Sequence, residues 1–288
     1  MRNALKDNRR PLSIEWNYLG LNLPETARST DAAIAEAQRA ISRTKPDVLI
    51  AVGDEANDLV ARNYIGRKTP RILYVAIDRP PADYGYPGAP NVSGIANNRP
   101  WAAVRDAVAT MFADRPATMA VIGAKSEAGE AQLAQISTFD WGPVRLGRSA
   151  LVSTAPAWRE AVGAAATADI LLVTTIRDLP EADGTTVSGA DLVRWTQQNS
   201  RPLPIGNEVE FVTDGGALSL SPPPDSYGKQ AIALALDWLD ERRTPGPPAP
   251  VSSDHFEVAM RQGLLAQRGL SLPAIYPEAA RENGTLFP

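Results

Sequence analysis

Short apolar runs alternate with longer segments of helical periodicity through the first part of the chain. The alternation in "LSIEWNYLGL" (12–21) predicts a strand, and the apolar runs "DVLIAV" (47–52) and "RILYVAID" (71–78) predict two more. The segments 29–46 and 55–68 have the periodicity and the end signals of helices. Strands that are apolar on both faces and alternate with helices are typical of a parallel sheet covered by helices.

The same alternation starts again after a segment, 79–100, that is rich in Pro, Gly and Asn. We predict this segment to be a loop with a crossing between two lobes. The elements predicted after it are helix 100–116, strand 117–124, helix 127–139, strand 143–152, helix 155–167, strand 169–176, helix 189–200 and strand 203–208. "DVLIAVGDEA" from Asp47 matches "DILLVTTIRD" from Asp169, which indicates an internal repeat in architecture.

The repeat predicts two α/β lobes with a ligand cleft between them. Lobe 1 is expected to comprise residues 1–96 and 217–253, and lobe 2 residues 97–216 and 254–288. Ligands of open α/β sheets bind outside the carboxyl ends of the strands, so the residues that follow each strand should line the cleft. The ligand-binding residues predicted on this basis are Gly53, Asp54, Glu55, Ala76, Asp78, Ala124, Ser126, Thr174, Thr175, Asn207 and Glu208.

Several candidates near the cleft also have a purely structural interpretation. Asp54 can cap the helix that follows it, and Asp78 can act as a turn residue. Tyr227 is a further candidate for ligand contact. Like Tyr84 and Tyr86, it can either stack on a ligand or pack under a loop.

Composition narrows the partners and the chemistry. The 288 residues carry a formal net charge of -4, which argues against nucleic acid or an anionic membrane as the main partner. The chain has no cysteine, which excludes disulfides, thiolate metal sites and a cysteine nucleophile. No apolar run reaches the ~18 residues of a membrane span, and no metal-ligand spacing, nucleophile elbow or phosphate loop is visible. We therefore expect no cofactor, no metal and no catalytic residue.

Four segments carry a resemblance when they are taken in order. They are "KPDVLIAVGDEA", "NVSGIA", "PLPIGNEVEFVTDGGALSLSPPPDSYGKQAIALALDWL" and "FEVAMRQGLLAQRGLSLP". In this order they resemble the substrate-binding proteins of ABC transporters, in the periplasmic family grouped with tryptophan- and tyrosine-type binders. The resemblance implies a two-lobed type I periplasmic binding fold that closes on its ligand by hinge motion, without catalysis. It also implies an ABC permease as partner and a periplasmic location, and we expect a monomer.

The chain departs from that family where it has Gly53-Asp54. Many members have Gly-Thr or Gly-Ser there, and the hydroxyl and helix amides would hold an amino acid carboxylate. With Asp54 and Glu55 at this place, a carboxylate on the ligand would be repelled. We therefore expect a small polar or cationic organic ligand, held in part by Asp54 or Glu55.

Lobe 1 lacks a counterpart of one strand of lobe 2. A strand and a helix precede 143–152, whereas only "MRNALKDN" precedes 12–21. In a doubly wound sheet the absent strand would be central. Three resolutions are open: direct pairing of 12–21 with 47–52, a strand from another molecule, or residues before Met1 in the native protein. We expect the last, because the family that the chain resembles is exported.

Three function classes remain open. The first is a solute-binding protein that serves an ABC importer. The second is a ligand-sensing module of the same fold, acting on a signalling partner such as a histidine kinase. The third is an α/β enzyme that uses acids such as Asp54 and Asp78 for acid–base chemistry.

Overall fold

In the computed structural model, which describes residues 5, 11–20, 29–113, 115–240, 246–251 and 255–288, the chain divides into two units. Unit 1 comprises Met1–Asn98 and Pro223–Ser253, and unit 2 comprises Arg99–Pro222 and Asp254–Pro288. The helices and strands are, in chain order, α1 (Thr30–Thr44), β1 (Val48–Val52), α2 (Asp54–Leu59), β2 (Arg71–Ile77), β3 (Val92–Ala96), α3 (Trp101–Met111), β4 (Thr118–Ala124), α4 (Glu127–Thr138), β5 (Arg145–Val152), α5 (Ala155–Ala164), β6 (Ile170–Val173), β7 (Leu179–Pro180), β8 (Thr186–Val187), α6 (Gly189–Asn199), β9 (Leu203–Gly206), α7 (Val209–Thr213), β10 (Leu218–Ser221), α8 (Pro224–Leu239), β11 (Glu257–Arg261), α9 (Gln262–Ala266), α10 (Ile275–Glu282) and β12 (Leu286–Phe287).

Unit 1 is built on a parallel three-stranded sheet in the order β1-β2-β3. Successive residues of β2 point to opposite faces of this sheet. Ile72 and Tyr74 belong to one buried cluster, and Leu73 and Val75 belong to another, which also contains residues of α8. Because both faces of β2 are covered, an unbroken apolar sequence forms this strand.

The segment 79–100, predicted as a loop with a crossing, is not a loop throughout, because it contains β3 and a 3₁₀ helix at Pro81–Tyr84. β3 pairs with β2 along most of its length, with Gly94 opposite Tyr74. A Cβ atom at Gly94 would lie 2.2 Å from the Tyr74 carbonyl oxygen and 2.4 Å from Tyr74 Cγ. The glycine that indicated a loop is therefore required for the close approach of two strands.

α2 is shorter than the predicted helix over 55–68. It ends at Leu59, and a 3₁₀ helix follows at Ala61–Tyr64. The side-chain amide of Asn63 donates to the carbonyls of Leu59 at 3.1 Å and Val60 at 3.2 Å. Such local side-chain bonds compete with the helical ladder, which accounts for the early end of α2.

The described part of the predicted strand 12–21, residues 12–20, is not a strand. The apolar alternation is present in Leu12, Ile14, Trp16 and Tyr18, but these side chains are 37 to 70% exposed. A strand requires a neighbour for its backbone groups, and within the described residues β1 has a ladder partner on one side only, which is β2. Direct pairing of this segment with β1 is therefore not the observed arrangement. The other two resolutions stay predictions.

Unit 2 is built on a seven-stranded sheet in the order β12-β11-β10-β9-β6-β4-β5. Its neighbouring strands are parallel except for the antiparallel pair of β10 and β11. Buried clusters cover it, one of which contains Met119 and Ile170 and another Trp158 and Phe211. The predicted α/β fold class is confirmed.

β10 lies in unit 2, whereas residues from 217 onward were expected in lobe 1. Leu218 of β10 is opposite Ile205 of β9 on one side and Met260 of β11 on the other. This strand is therefore an inner strand of the large sheet, and the chain passes to unit 1 only after Pro222.

Candidate functional site

The carboxyl ends of β1 and β2 lie at one edge of the unit 1 sheet, as parallel pairing requires. Gly53 follows β1 with φ 82° and ψ 167°, a backbone conformation that is essentially restricted to glycine. Its N–H donates to the Val75 carbonyl at 2.9 Å. This turn places Asp54 and the half-buried Glu55 in the first turn of α2, at the sheet edge.

Asp54 is buried at this edge, with only 2% of the residue exposed. One carboxylate oxygen accepts a hydrogen bond from the Asp78 N–H at 3.1 Å. The other accepts from the Arg79 N–H at 3.0 Å and from the Tyr84 hydroxyl. The interpretation of Asp54 as a helix cap is wrong, because Gly53 occupies the N-cap position of α2. Asp54 instead joins the end of β1 to the loop that follows β2.

β2 ends in an irregular turn. Ala76 has a φ of 54°, which is rare for a residue with a side chain, and the pairing of β2 with β3 shifts between Val75 and Ile77. Such bulges redirect the chain and are frequent beside functional sites. Asp78 follows; it is 7% exposed and accepts a hydrogen bond from Asn97 Nδ2 at 3.0 Å.

The tyrosines of unit 1 pack inside it. Tyr74, Tyr86 and Tyr84 form a stack in which successive ring centroids are 5.3 Å apart. The Tyr86 hydroxyl donates to Oδ1 of the buried Asn57 at 2.8 Å, and burial raises the pKa of Tyr86 above its ordinary value. Tyr84 and Tyr86 thus follow the packing interpretation. Tyr227, on α8, is half-buried against the cluster that contains Leu73.

In unit 2, three oxygen atoms surround Gly129 in the first turn of α4. The Ala124 carbonyl, Thr175 Oγ1 and Ser126 Oγ lie 2.6, 3.0 and 3.2 Å from the position that a Cβ would take at Gly129. Thr175 Oγ1 donates to the Ala124 carbonyl at 2.8 Å. Ser126 Oγ caps α4 by accepting from the Gly129 N–H at 3.0 Å. The structure thus brings three predicted site residues together around a glycine.

Thr174 is buried next to this group. Only 3% of the residue is exposed, and its hydroxyl donates to the Ile122 carbonyl at 3.3 Å. A Cβ on Gly123 would lie 2.4 Å from Thr174 Oγ1 and 2.8 Å from Thr175 Oγ1. The bare backbone of Gly123 therefore makes room for both threonine hydroxyls.

Asn207 follows β9, and its side chain is buried against α4. Nδ2 donates to Oε1 of Gln132 at 2.8 Å, and the two residues are 1% and 2% exposed. Oδ1 of Asn207 is also buried and has no hydrogen-bond partner within the part of the chain that the structure describes. A buried acceptor without a donor costs about 1–3 kcal/mol, so a bound N–H or O–H group would be favoured at this atom.

Glu208 forms an ion pair with Arg99, the first residue of unit 2. The Arg99 guanidinium also donates to the Asn207 carbonyl at 3.2 Å. The Arg99 side chain is only 6% exposed, whereas that of Glu208 is 45% exposed. Arg99 therefore holds the end of β9 in place and partly neutralises the Glu208 carboxylate. The sequence alone does not reveal this ion pair.

The predicted site residues therefore fall into two groups, one at the edge of each sheet. Gly53, Asp54, Glu55, Ala76 and Asp78 lie in unit 1, with Tyr227 apart on α8, whereas Ala124, Ser126, Thr174, Thr175, Asn207 and Glu208 lie in unit 2. Sequence reasoning missed Asn57, Arg99, Gly129 and Gln132. A signal for Gln132 is present, because it lies with Gly129 and Ile136 on the buried face of α4, where an amide is out of place unless it has a partner.

Among the described residues, no group of three or more His, Asp or Glu side chains is arranged to hold a metal ion. None of the described helices combines the length and the apolar composition that crossing a bilayer requires.

No protein-family model matches the chain, and no curated protein matches it in sequence. Several solved structures do match. The ABC domain in complex with L-Trp from Streptococcus pneumonia has a TM-score of 0.65 and 14% identity, with 86% of this chain and 84% of that chain covered. A ligand-free, open substrate-binding protein with adhesive properties from Clostridium difficile has a TM-score of 0.58 and 15% identity, with 86% and 83% covered. A 5-methylthioribose transporter solute-binding protein from Thermotoga lettingae, in complex with 5-methylthioribose, has a TM-score of 0.52 and 13% identity, with 90% and 80% covered.

The fold is that of the type I periplasmic binding proteins. This confirms the predicted fold at the level of architecture, since identities of 13–15% carry no more than that. In open α/β sheets, ligands bind outside the carboxyl ends of the strands. Both groups of candidate residues lie at such ends.

Proposed function

We propose that this protein is the solute-binding component of an ABC importer and that it binds a small polar organic molecule. Proteins with this fold include the L-Trp complex and the 5-methylthioribose complex described above. The observation that carries the proposal is the Asn207 Oδ1 atom. It is buried, has no partner within the described residues and follows a strand at the ligand-binding edge of the fold.

In unit 2 the ligand is held by hydrogen bonds at the end of β9 and at the start of α4. Asn207 Oδ1 accepts from a donor on the ligand. Ser126 and Thr175 flank the same edge with hydroxyl groups, and their bonds to Gly129 and Ala124 fix their orientation. Glu208 contributes a second acceptor, since nearly half of its side chain is exposed even though Arg99 pairs with it.

In unit 1 the contacts come from the turns after β1 and β2. Glu55 and the backbone of Gly53 and Ala76 lie at this edge, whereas Asp54 and Asp78 support it with bonds inside the unit. Glu55 and Glu208 supply acceptor oxygens at these two edges, and the guanidinium of Arg99 is engaged by Glu208. Ligands with hydroxyl, amine or amide donors fit this arrangement.

The proposal includes an ABC permease as the partner, a periplasmic location, a monomeric state and binding without chemical conversion. Two of the matched structures named above support it, since one is a substrate-binding protein and the other a solute-binding protein.

An Asn207→Ala variant is expected to raise the ligand Kd by about 10- to 100-fold, because a buried hydrogen bond worth ~1–3 kcal/mol is lost. The ligand for this test is the compound that co-purifies with the protein, identified by mass spectrometry, and Kd is measured by calorimetric titration. Asn199→Ala is the matched control, because Asn199 is exposed at the end of α6 and its side-chain amide donates to the Trp195 carbonyl of the same helix. Equal Kd values for the Asn207 variant and the parent protein would contradict the proposed site.

A further inference from the structure

The buried Asp54 carboxylate is bound in the way that a protein binds a separate anion. Its two oxygens accept from the main-chain N–H groups of Asp78 and Arg79 at 3.1 and 3.0 Å, and from the Tyr84 hydroxyl. These donors lie 24 to 30 positions further along the chain. Three convergent donors around one carboxylate match the geometry of charge-assisted anion recognition.

The three donors are held in place by contacts other than Asp54. The Asp78 and Arg79 amides follow the bulge at Ala76, which turns the chain after β2. The Tyr84 ring is stacked on Tyr86, with the Arg79 guanidinium 4.9 Å from its centroid on a face of the ring. The donor set, which we call the anion cradle (the amides of Asp78 and Arg79 and the hydroxyl of Tyr84), is thus built into the loop after β2.

We propose that the anion cradle is an anion-binding site that the Asp54 carboxylate of the same chain occupies permanently, and that this occupation sets the ligand class. A carboxylate or phosphate on the solute would find its donors at this edge taken and would meet a like charge nearby. The solute therefore faces unit 1 with an uncharged or cationic group, such as a hydroxyl, an amide or an amine. The statement about the solute rests on the proposed function, whereas the cradle itself does not.

The test removes the occupant and supplies a free anion. In Asp54→Gly the carboxylate is absent, and formate is small enough to take its place. The melting temperature of this variant should rise by about 2–4 °C in 0.3 M sodium formate relative to 0.3 M sodium chloride, because a ligand that binds the folded state stabilises it. The parent protein should show no such difference, since its cradle is filled.

Asp54→Asn is the matched control, because its amide fills the same volume and leaves no room for formate. It should show no rise in formate. If Asp54→Gly is unfolded in chloride, formate should restore its folded circular dichroism spectrum. An Asp54→Gly variant that responds equally to formate and chloride, or an equal response in the parent protein, would overturn the cradle. A failure of the proposed function can be told apart from a failure of the cradle. In that case the parent protein would bind no solute, but Asp54→Gly would still be stabilised by formate.

Discussion

An Asp54→Asn variant is expected to lose about 2–4 kcal/mol of unfolding free energy, because it places a donor among donors in a buried position. The amide retains the size of the carboxylate, but one of its two terminal atoms becomes an NH₂ group. That group must face either the Asp78 N–H or the pair formed by the Arg79 N–H and the Tyr84 hydroxyl. Urea unfolding followed by circular dichroism measures the loss.

Asp58→Asn on the same helix serves as the control for this stability measurement. Asp58 pairs with Arg62 at 2.5 Å and with Arg79 at 3.8 Å, and its side chain is partly exposed. Ion pairs of this kind contribute about 0–1 kcal/mol, so this variant should stay close to the parent protein. Equal losses in the two variants would show that Asp54 has no special role in joining β1 to the loop after β2.

A Gly123→Ala variant is expected to weaken ligand binding by at least about 10-fold and to cost about 1–3 kcal/mol of stability. The new Cβ would lie 2.4 Å from Thr174 Oγ1, 2.8 Å from Thr175 Oγ1 and 3.2 Å from Leu151 Cδ2. Each threonine hydroxyl donates to a carbonyl of β4, so neither can turn away without breaking that bond. Calorimetric titration and urea unfolding measure the two effects.

Gly163→Ala is the matched substitution for that experiment. Gly163 lies in α5, and a Cβ there has no atom within 4 Å. Replacing glycine by alanine inside a helix is expected to gain up to about 1 kcal/mol and to leave binding unchanged. Binding that survives in Gly123→Ala as well would mean that Thr174 and Thr175 do not shape the site.

The parallel sheets could be predicted from the sequence because several of their strands are apolar on both faces. The runs at 47–52 and 169–176 are apolar without alternation, and the corresponding strands β1 and β6 lie in parallel sheets. The edge at which polar residues collect follows from the same argument, since parallel strands end on the same side. This is why the predicted site residues that follow strands lie at two sheet edges.

The failures at 12–21 and 79–100 have different causes. The alternation of Leu12, Ile14, Trp16 and Tyr18 shows that the segment could pair, but whether a neighbouring strand exists is not encoded in the segment itself. The residues around β3 that are typical of turns hide its strand pattern. Gly94 is one of them, and it is needed for the close contact with Tyr74, which is a tertiary requirement. Neither outcome follows from local propensity.

The role of Asp54 could not be predicted from the sequence, because its partners come from a distant loop. The sequence pattern, an aspartate after an apolar strand, indicates a cap or a ligand contact, whereas Asp54 accepts hydrogen bonds from the anion cradle. Arg99 was missed for the same reason, since its partner Glu208 is 109 positions away. Local patterns locate the edge of a sheet, whereas pairing across the unit decides which side chains remain available there.

Mass spectrometry of the protein purified under native conditions, before and after denaturation, tests most directly whether it is a solute-binding protein. We predict one small polar molecule for each chain, with hydroxyl, amine or amide donors, that is released on denaturation. This molecule should rebind to the refolded protein and be recovered chemically unchanged after prolonged incubation. Conversion of the molecule into a product, or a protein that neither carries nor rebinds any small solute, would contradict the proposed function.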